Sequence, residues 1–188
     1  FSELSQLASG NSNTLSYGLE NGSIKLTDIS SNYDNTLVGD LSINNSHTKI
    51  STNFIATQSL YGVVAACAVA YKLGWTTDEI RKAVSKLKPV SGRMCPLPGI
   101  KNSLIIDDSF NASPLTVKAA LDTLSHLQGY KIAVLGSMNE LGEESAKDHQ
   151  RIGQIVAKSV DILITFGSEA KKYMTSAAVE AGMSKNKI

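Results

Sequence analysis

The sequence is sparing with the residues that most often announce chemistry, holding two cysteines, three histidines and one tryptophan in 188 residues. Cys67 and Cys95 stand at no metal-ligand spacing and have no companion histidine, so they describe a reduced protein rather than a disulfide framework or a zinc site. Cys67 sits among Val64, Ala66, Ala68 and Ala70 and reads as a small buried core residue. His47, His126 and His149 are scattered and read as surface or half-buried side chains. Neither sign of charge dominates: 18 basic and 17 acidic residues are intermixed, which leaves no basic footprint for nucleic acid or anionic lipid. No apolar run reaches the roughly 18–20 residues of a membrane span; the longest, around Val63–Ala70, is about half that. Phe1-Ser2-Glu3 carries neither a starting methionine nor the basic, apolar and small-residue order of a signal peptide, so a start inside a longer protein is expected. A cytoplasmic monomer without membrane or nucleic-acid partners is the expectation.

What is present is the composition of a globular protein, with 42% hydrophobic and 19% charged residues, enough apolar surface for one large domain or two small ones. Residues 1–56 are rich in Ser, Asn, Thr and Gly, with β-like runs at Thr14–Tyr17, Ser23–Ile29, Thr36–Ile43 and Thr48–Ile55. Asn21-Gly22 predicts a type I′ hairpin, and Asp40, Asn44 and Asn45 predict further turns. From Gln58 the pattern becomes helical: Leu60, Val63, Val64, Cys67, Ala70 and Tyr71 share a face, and Gly74 supplies a stop. A second helix is expected with Thr77 as N-cap, Ile80, Ala83, Val84 and Leu87 on one face, and Pro89 as its end. Val90-Ser91-Gly92 is a short connector, which predicts one domain over 1–90 and a second over 91–188.

Beyond that connector, β-rich runs at Ser103–Asp107, Lys131–Leu135 and Asp161–Phe166 alternate with helical stretches, the pattern of parallel βαβ crossover units. Val117, Ala120, Leu121, Leu124 and Leu127 mark the first of these helices, Ile152, Ile155 and Val156 the second, and Ser168–Ala181 a third. The fold class is therefore α/β, with a Rossmann-like, mainly parallel sheet in the second domain. Its most informative stretch is Leu104-Ile105-Ile106-Asp107-Asp108-Ser109-Phe110-Asn111-Ala112-Ser113-Pro114, a strand running into a turn and a helix N-terminus, with Ser113 as cap and Pro114 at the first helical position. Open α/β sheets bind ligands at such junctions. Strand alternation predicts that Asp107 and Asp108 point to different sides. Two readings stay open on these residues alone: a ligand-facing carboxylate suited to a ribose hydroxyl, or turn and cap residues only.

The strings Ser91-Gly92-Arg93-Met94, Asp107 through Pro114, and Val134-Leu135-Gly136-Ser137-Met138-Asn139-Glu140-Leu141-Gly142 together resemble the Mur ligases. The family pattern is Gly-Arg-Met, Asp-Asp-Ser-Tyr-Asn-Ala-Asn-Pro and Gly-Asp-Met-x-Glu-Leu-Gly, in the same order. Weaker similarity runs through Ser16-Tyr17-Gly18, Ala65–Ala70 and Asp161–Gly167. The resemblance implies an ATP- and magnesium-dependent ligase of cell-wall synthesis whose C-terminal domain closes over the nucleotide. It is nearest to the branch that joins D-alanyl-D-alanine to a UDP-N-acetylmuramoyl peptide through an acyl phosphate. By motif, Arg93, Asp108 and Asn111 would contact the nucleotide and Glu140, with Leu141, would border the second-substrate site, a helix-start role for Glu140 being the other reading. No residue is assigned a catalytic or metal-binding role.

Departures from the pattern are as informative. Phe110 replaces Tyr, Ser113 the second Asn and Ser137 the Asp of the third motif. The family's His-Asn-x-x-Asn at the start of the central-domain helix stands here as Gln58-Ser59-Leu60-Tyr61-Gly62, and no Gly-x-x-Gly-Lys-Thr phosphate loop occurs. The sequence is expected to be the end of a central domain joined to most of a C-terminal one, inactive on its own. The alternatives are a non-catalytic nucleotide-binding relative and a related ligase with another substrate.

Overall fold

Apolar residues alternate with polar ones in the first half, the period that turns one strand face into a core. The computed structural model describes residues 14–44 and 46–188, and Phe1–Glu3 and Asn45 lie outside them. The first strands are β1 (Tyr17–Gly18), β2 (Ile24–Ser31), β3 (Leu37–Ile43) and β4 (Ser46–Ser51), in the sheet order β1-β2-β3-β4. Ile24, Leu26, Leu41, Ile43 and Ile50 are buried on one face.

Asn21-Gly22 does not form the expected hairpin. Of the two, only Gly22 has positive φ, at 131°, where a type I′ turn needs both. The chain instead loops so that Tyr17 lies beside Ile24 in the same direction. A Cβ on Gly22 would meet the Tyr17 Cα at 2.9 Å, so this loop admits glycine only. Asp40 is no turn residue but pairs within β3, opposite Thr27 and Lys49. The strand expected to reach Ile55 stops at Ser51, because Thr52 turns inward and donates both its N–H and its hydroxyl to the Leu37 carbonyl at 3.0 and 2.8 Å.

Helix α1 (Thr57–Lys72) buries Leu60, Val63, Val64, Cys67 and Ala68 in this core. Gly74, at φ 91°, ends it with paired bonds from Gly74 N–H to the Tyr71 carbonyl and from Trp75 N–H to the Ala70 carbonyl. Helix α2 (Thr77–Val84) is capped by Thr76 rather than Thr77. The reason is spacing: a capping box needs its acid three residues after the cap, and Glu79 stands three after Thr76. Such a cap contributes about 1 kcal/mol. Leu87 lies beyond the helix and is exposed.

Burial pushes the Cys67 thiol up to about 11, whereas Cys95 is half-buried. Cys95 should therefore react with a thiol reagent in the folded chain and Cys67 only in urea. A titration giving one thiol before unfolding and two after checks this; two fast thiols in the native chain would take Cys67 out of the core.

The described residues divide into two units, the first ending at Lys88 and the second running Pro89–Ile188. In the second, β5 (Cys95–Pro98) pairs antiparallel with β6 (Leu104–Asp107). Sequence reading misses β5 because Pro96 and Pro98 interrupt it, which an edge strand tolerates. Helix α3 (Pro114–His126) follows, opened by a reciprocal Ser113–Thr116 capping box. Strands β7 (Ile132–Gly136) and β8 (Ile162–Phe166) then run parallel through the crossover helix α4 (Ser145–Ser159), as expected of an α/β fold. The Asp161 carboxylate fixes their start by accepting the Lys131 N–H at 2.8 Å. The last helical stretch begins at Ser168, passes through a π turn, Ala170–Met174, and continues as α5 (Thr175–Glu180). Val117, Leu121, Ala133, Ile152, Val156, Leu163 and Met174 form the core.

Candidate functional site at the strand-to-helix junction

Asp107 ends β6, and the chain leaves the strand at Asp108. Strict strand alternation therefore does not extend to Asp108, and both carboxylates take backbone N–H groups from one short turn. Asp107 Oδ2 accepts from Gly92 at 3.1 Å and Asp108 Oδ1 from Met94 at 3.0 Å, while the Phe110 N–H donates back to the Gly92 carbonyl at 3.2 Å. Between the clamped residues lies Arg93. Gly92 and Met94 have φ of 74° and 49°, a left-handed conformation that costs a methionine about a kilocalorie or more. The two carboxylates, with the buried Met94 side chain, hold the turn in that form.

Arg93 is exposed, and its guanidinium lies over the Phe110 ring with 4.1 Å to the centroid. Phe in place of Tyr thus keeps a shelf for the cation, worth about 0.5–1 kcal/mol at an exposed site. Hydrogen bonds from the Ser109 hydroxyl and N–H hold the Asp107 carboxyl below its ordinary range, with the Gly92 N–H adding to them. Burial pushes the Asp108 carboxyl the other way, opposed by the Met94 N–H and the Arg93 charge. Asn111 is exposed on the same turn, and its Oδ1 accepts the Ala112 N–H at 2.9 Å just before α3 begins. The junction therefore gathers a fixed cation, a carboxylate and a helix N-terminus, groups able to hold a sugar hydroxyl and a phosphate.

The third motif forms an arch after β7. Ser137 donates its N–H to the Phe166 carbonyl at 2.8 Å, and its Oγ accepts the Ala170 N–H at 3.2 Å, so a serine caps the last helical stretch where the family pattern has aspartate. Glu140 does not start a helix: a 3-10 turn, Gly142–Glu144, intervenes and α4 begins at Ser145. It stands exposed with φ 62°, a strained position for a residue with a Cβ. His149 corrects the expectation of a surface or half-buried histidine, since it is fully buried. Stepping back three and seven residues from Ile152 and Val156 on the apolar face of α4 lands on it, which is the signal that could have found it.

In the first unit, Gln58 and Tyr61 line a cavity of about 840 Å³ with Gly18, Asn21, Asp28 and Thr57. Helix α1 opens there on Ala56, with no side-chain cap and no acid in its first turn, which leaves its positive end to the cavity. Asp28, at φ 51°, marks an irregularity of β2 beside it. Among the described residues no cluster of three or more His, Cys, Asp or Glu could hold a metal ion.

An α/β unit with these three motifs on its turns is what the Mur ligase glutamate ligase domain looks like; the model of that domain matches residues 92–187, and the chain belongs to this family. Among curated relatives, the UDP-N-acetylmuramoyl-tripeptide–D-alanyl-D-alanine ligase of Escherichia coli (strain K12) is 33% identical over 122 residues, which are 64% of this chain and 27% of that protein. The ligase of the same name from Bacillus subtilis (strain 168) is 30% identical over 116 residues, covering 60% and 25%. The crystal structure of MurF ligase from Thermotoga maritima in complex with ADP superposes with a TM-score of 0.76 and 30% identity, over 86% of this chain and 37% of that one. The chain thus spans about a quarter of the length of these curated relatives.

Proposed function

We propose that the chain is part of a cytoplasmic, monomeric, ATP-dependent ligase that adds D-alanyl-D-alanine to a UDP-N-acetylmuramoyl peptide. Residues 1–90 would end the central domain and residues 91–188 would form most of the closing one. The substrate carboxylate takes the γ-phosphoryl group of ATP. The dipeptide amine then attacks the acyl phosphate, and an amide forms as phosphate leaves. In this reading Arg93 meets the nucleotide phosphates, Asp108 accepts from the ribose hydroxyls, Asn111 lines the same pocket and Glu140 borders the incoming dipeptide. Magnesium and the β- and γ-phosphates would be held by a phosphate loop, which this sequence does not contain.

The observation that carries the proposal is the clamp: two carboxylates, a left-handed methionine and an aromatic shelf are spent on fixing one exposed arginine. A solvated surface charge needs none of them. Strain of this kind concentrates at functional sites, and Glu140 shows it again. The second reading, a binding module without turnover, draws on Gln58, Ser59 and Gly62, which stand where the family pattern has His, Asn and Asn. The test is ADP formation by the protein expressed from the complete reading frame. It should require both the UDP-linked tripeptide and D-alanyl-D-alanine, while the 188-residue chain alone stays at background. ATP turnover by that chain, or no dependence on the dipeptide in the complete protein, would sink it.

A further inference from the structure

We propose that His149 is a positioning residue for the incoming amine: in its neutral, Nδ1-protonated form it fixes the 137–142 arch that carries Glu140. The inference rests on the reading of Glu140 as the dipeptide contact. The Met138 N–H donates to His149 Nε2 at 2.9 Å, and the other ring nitrogen lies 2.7 Å from the Ser145 carbonyl. A backbone N–H can only donate, so Nε2 must carry the lone pair; a carbonyl can only accept, so the proton is on Nδ1. Both nitrogens are thereby used, and an imidazolium could not make the Met138 bond. The ring is fully buried, and its bond to the Met138 N–H lies away from water.

What the bond holds is specific. Met138 is buried and Leu141 packs against the same core, so the arch has two anchored feet. Asn139 and Glu140 stand exposed between them. The Met138 foot enters the same core as Ile152 and Val156 of α4, and the His149 side chain of that helix bonds the arch backbone. Ser145 links the ring onward, its hydroxyl donating to Glu169 Oε2 at 3.1 Å. Releasing Met138 would let Glu140 relax from its left-handed conformation and turn away.

The experiment has two arms. In the 188-residue chain, ¹⁵N spectra should show His149 protonated at Nδ1 only, and amide exchange at Met138 should quicken on the order of ten-fold in His149→Phe while Leu163 in β8 stays unchanged. His149→Gln, which can still offer an acceptor to Met138, should restore protection. His149→Asn, too short to reach, should not, and it serves should the phenylalanine variant fail to fold. In the complete protein, His149→Asn should raise KM for D-alanyl-D-alanine about ten-fold, leave KM for ATP unchanged and be rescued by glutamine. Unchanged Met138 exchange, the opposite tautomer, or a released Met138 with an unmoved dipeptide KM would each overturn the positioning role. If ADP formation never depends on the dipeptide, the functional reading has failed instead, and the exchange arm still decides whether His149 holds the arch.

Discussion

Gly153→Ala should lower the melting temperature of the second unit by on the order of 5–10 °C, although alanine is the better helix former. Gly153 lies in the interior of α4 and is buried. A Cβ built there would stand 2.3 Å from the Met174 carbonyl oxygen and 3.0 Å from the Ala177 Cβ. The first of these is backbone at the end of the π turn, so no rotamer change relieves it, and the helices must move apart by about an ångström. Overpacking of this kind costs about 1–3 kcal/mol, and loosening the Met174–Ile152–Val156 packing adds to it, against a propensity gain of about 1 kcal/mol. Gly62 is the control. It too lies inside a helix, α1, but a Cβ there meets nothing within 4 Å. Gly62→Ala should therefore stabilise the first unit by about 0.5–1 kcal/mol. Thermal and urea unfolding followed by circular dichroism checks both, and a neutral Gly153→Ala would show that α4 does not rest against the π turn.

That pair of glycines marks where sequence reading stops. Each interrupts a helical pattern in the same way, and the difference between them comes from what another segment brings close. The elements with strong local causes were legible: α1 from its apolar spacing and Gly74, α3 from Ser113-Pro114, β7 and β8 from their apolar runs. Where a local rule failed, a longer-range constraint had displaced it. Asn21-Gly22 has the composition of a type I′ turn, yet the pairing of Tyr17 with Ile24 imposes another loop. Strand β5 was hidden by Pro96 and Pro98 and exists because β6 supplies its partner. The motifs single out Arg93 and Asp108 as candidates, but not that both acids grip the 92–94 turn, since a carboxylate's partner 14 or 15 residues away is set by the fold. Taken as an isolated histidine, His149 carries no signal; its burial is legible only from its position on the apolar face of α4.

Asp107 and Asp108, adjacent in sequence, should separate into one residue for the fold and one for the nucleotide. Asp107 has a depressed folded pKa, so its contribution is present above the ordinary carboxylate value and is lost as pH falls through the folded one. Asp108 has a raised pKa because burial opposes its charge, so its protonated form favours the fold and that contribution fades as pH rises through the raised value. At neutral pH the ionised Asp108 therefore disfavours the fold. Asp108→Asn keeps an oxygen for the Met94 N–H and removes the charge; it should leave the unit as stable as before or slightly more so at neutral pH. Asp107→Ala removes the acceptor of the Gly92 and Ser109 N–H groups and should lower the urea midpoint at pH 7, with the difference shrinking as the pH drops below the carboxylate range. In the complete protein, Asp108→Ala should raise KM for ATP roughly 10- to 100-fold, the range for losing a charge-assisted hydrogen bond, and Asp108→Asn by less. Phe110→Tyr, which keeps the shelf under Arg93, should leave KM for ATP within about two-fold, whereas Phe110→Ala frees the guanidinium and should raise it several-fold. If Asp108→Ala folds and its KM for ATP does not move, the carboxylate faces no ribose and the clamp around Arg93 serves the turn alone.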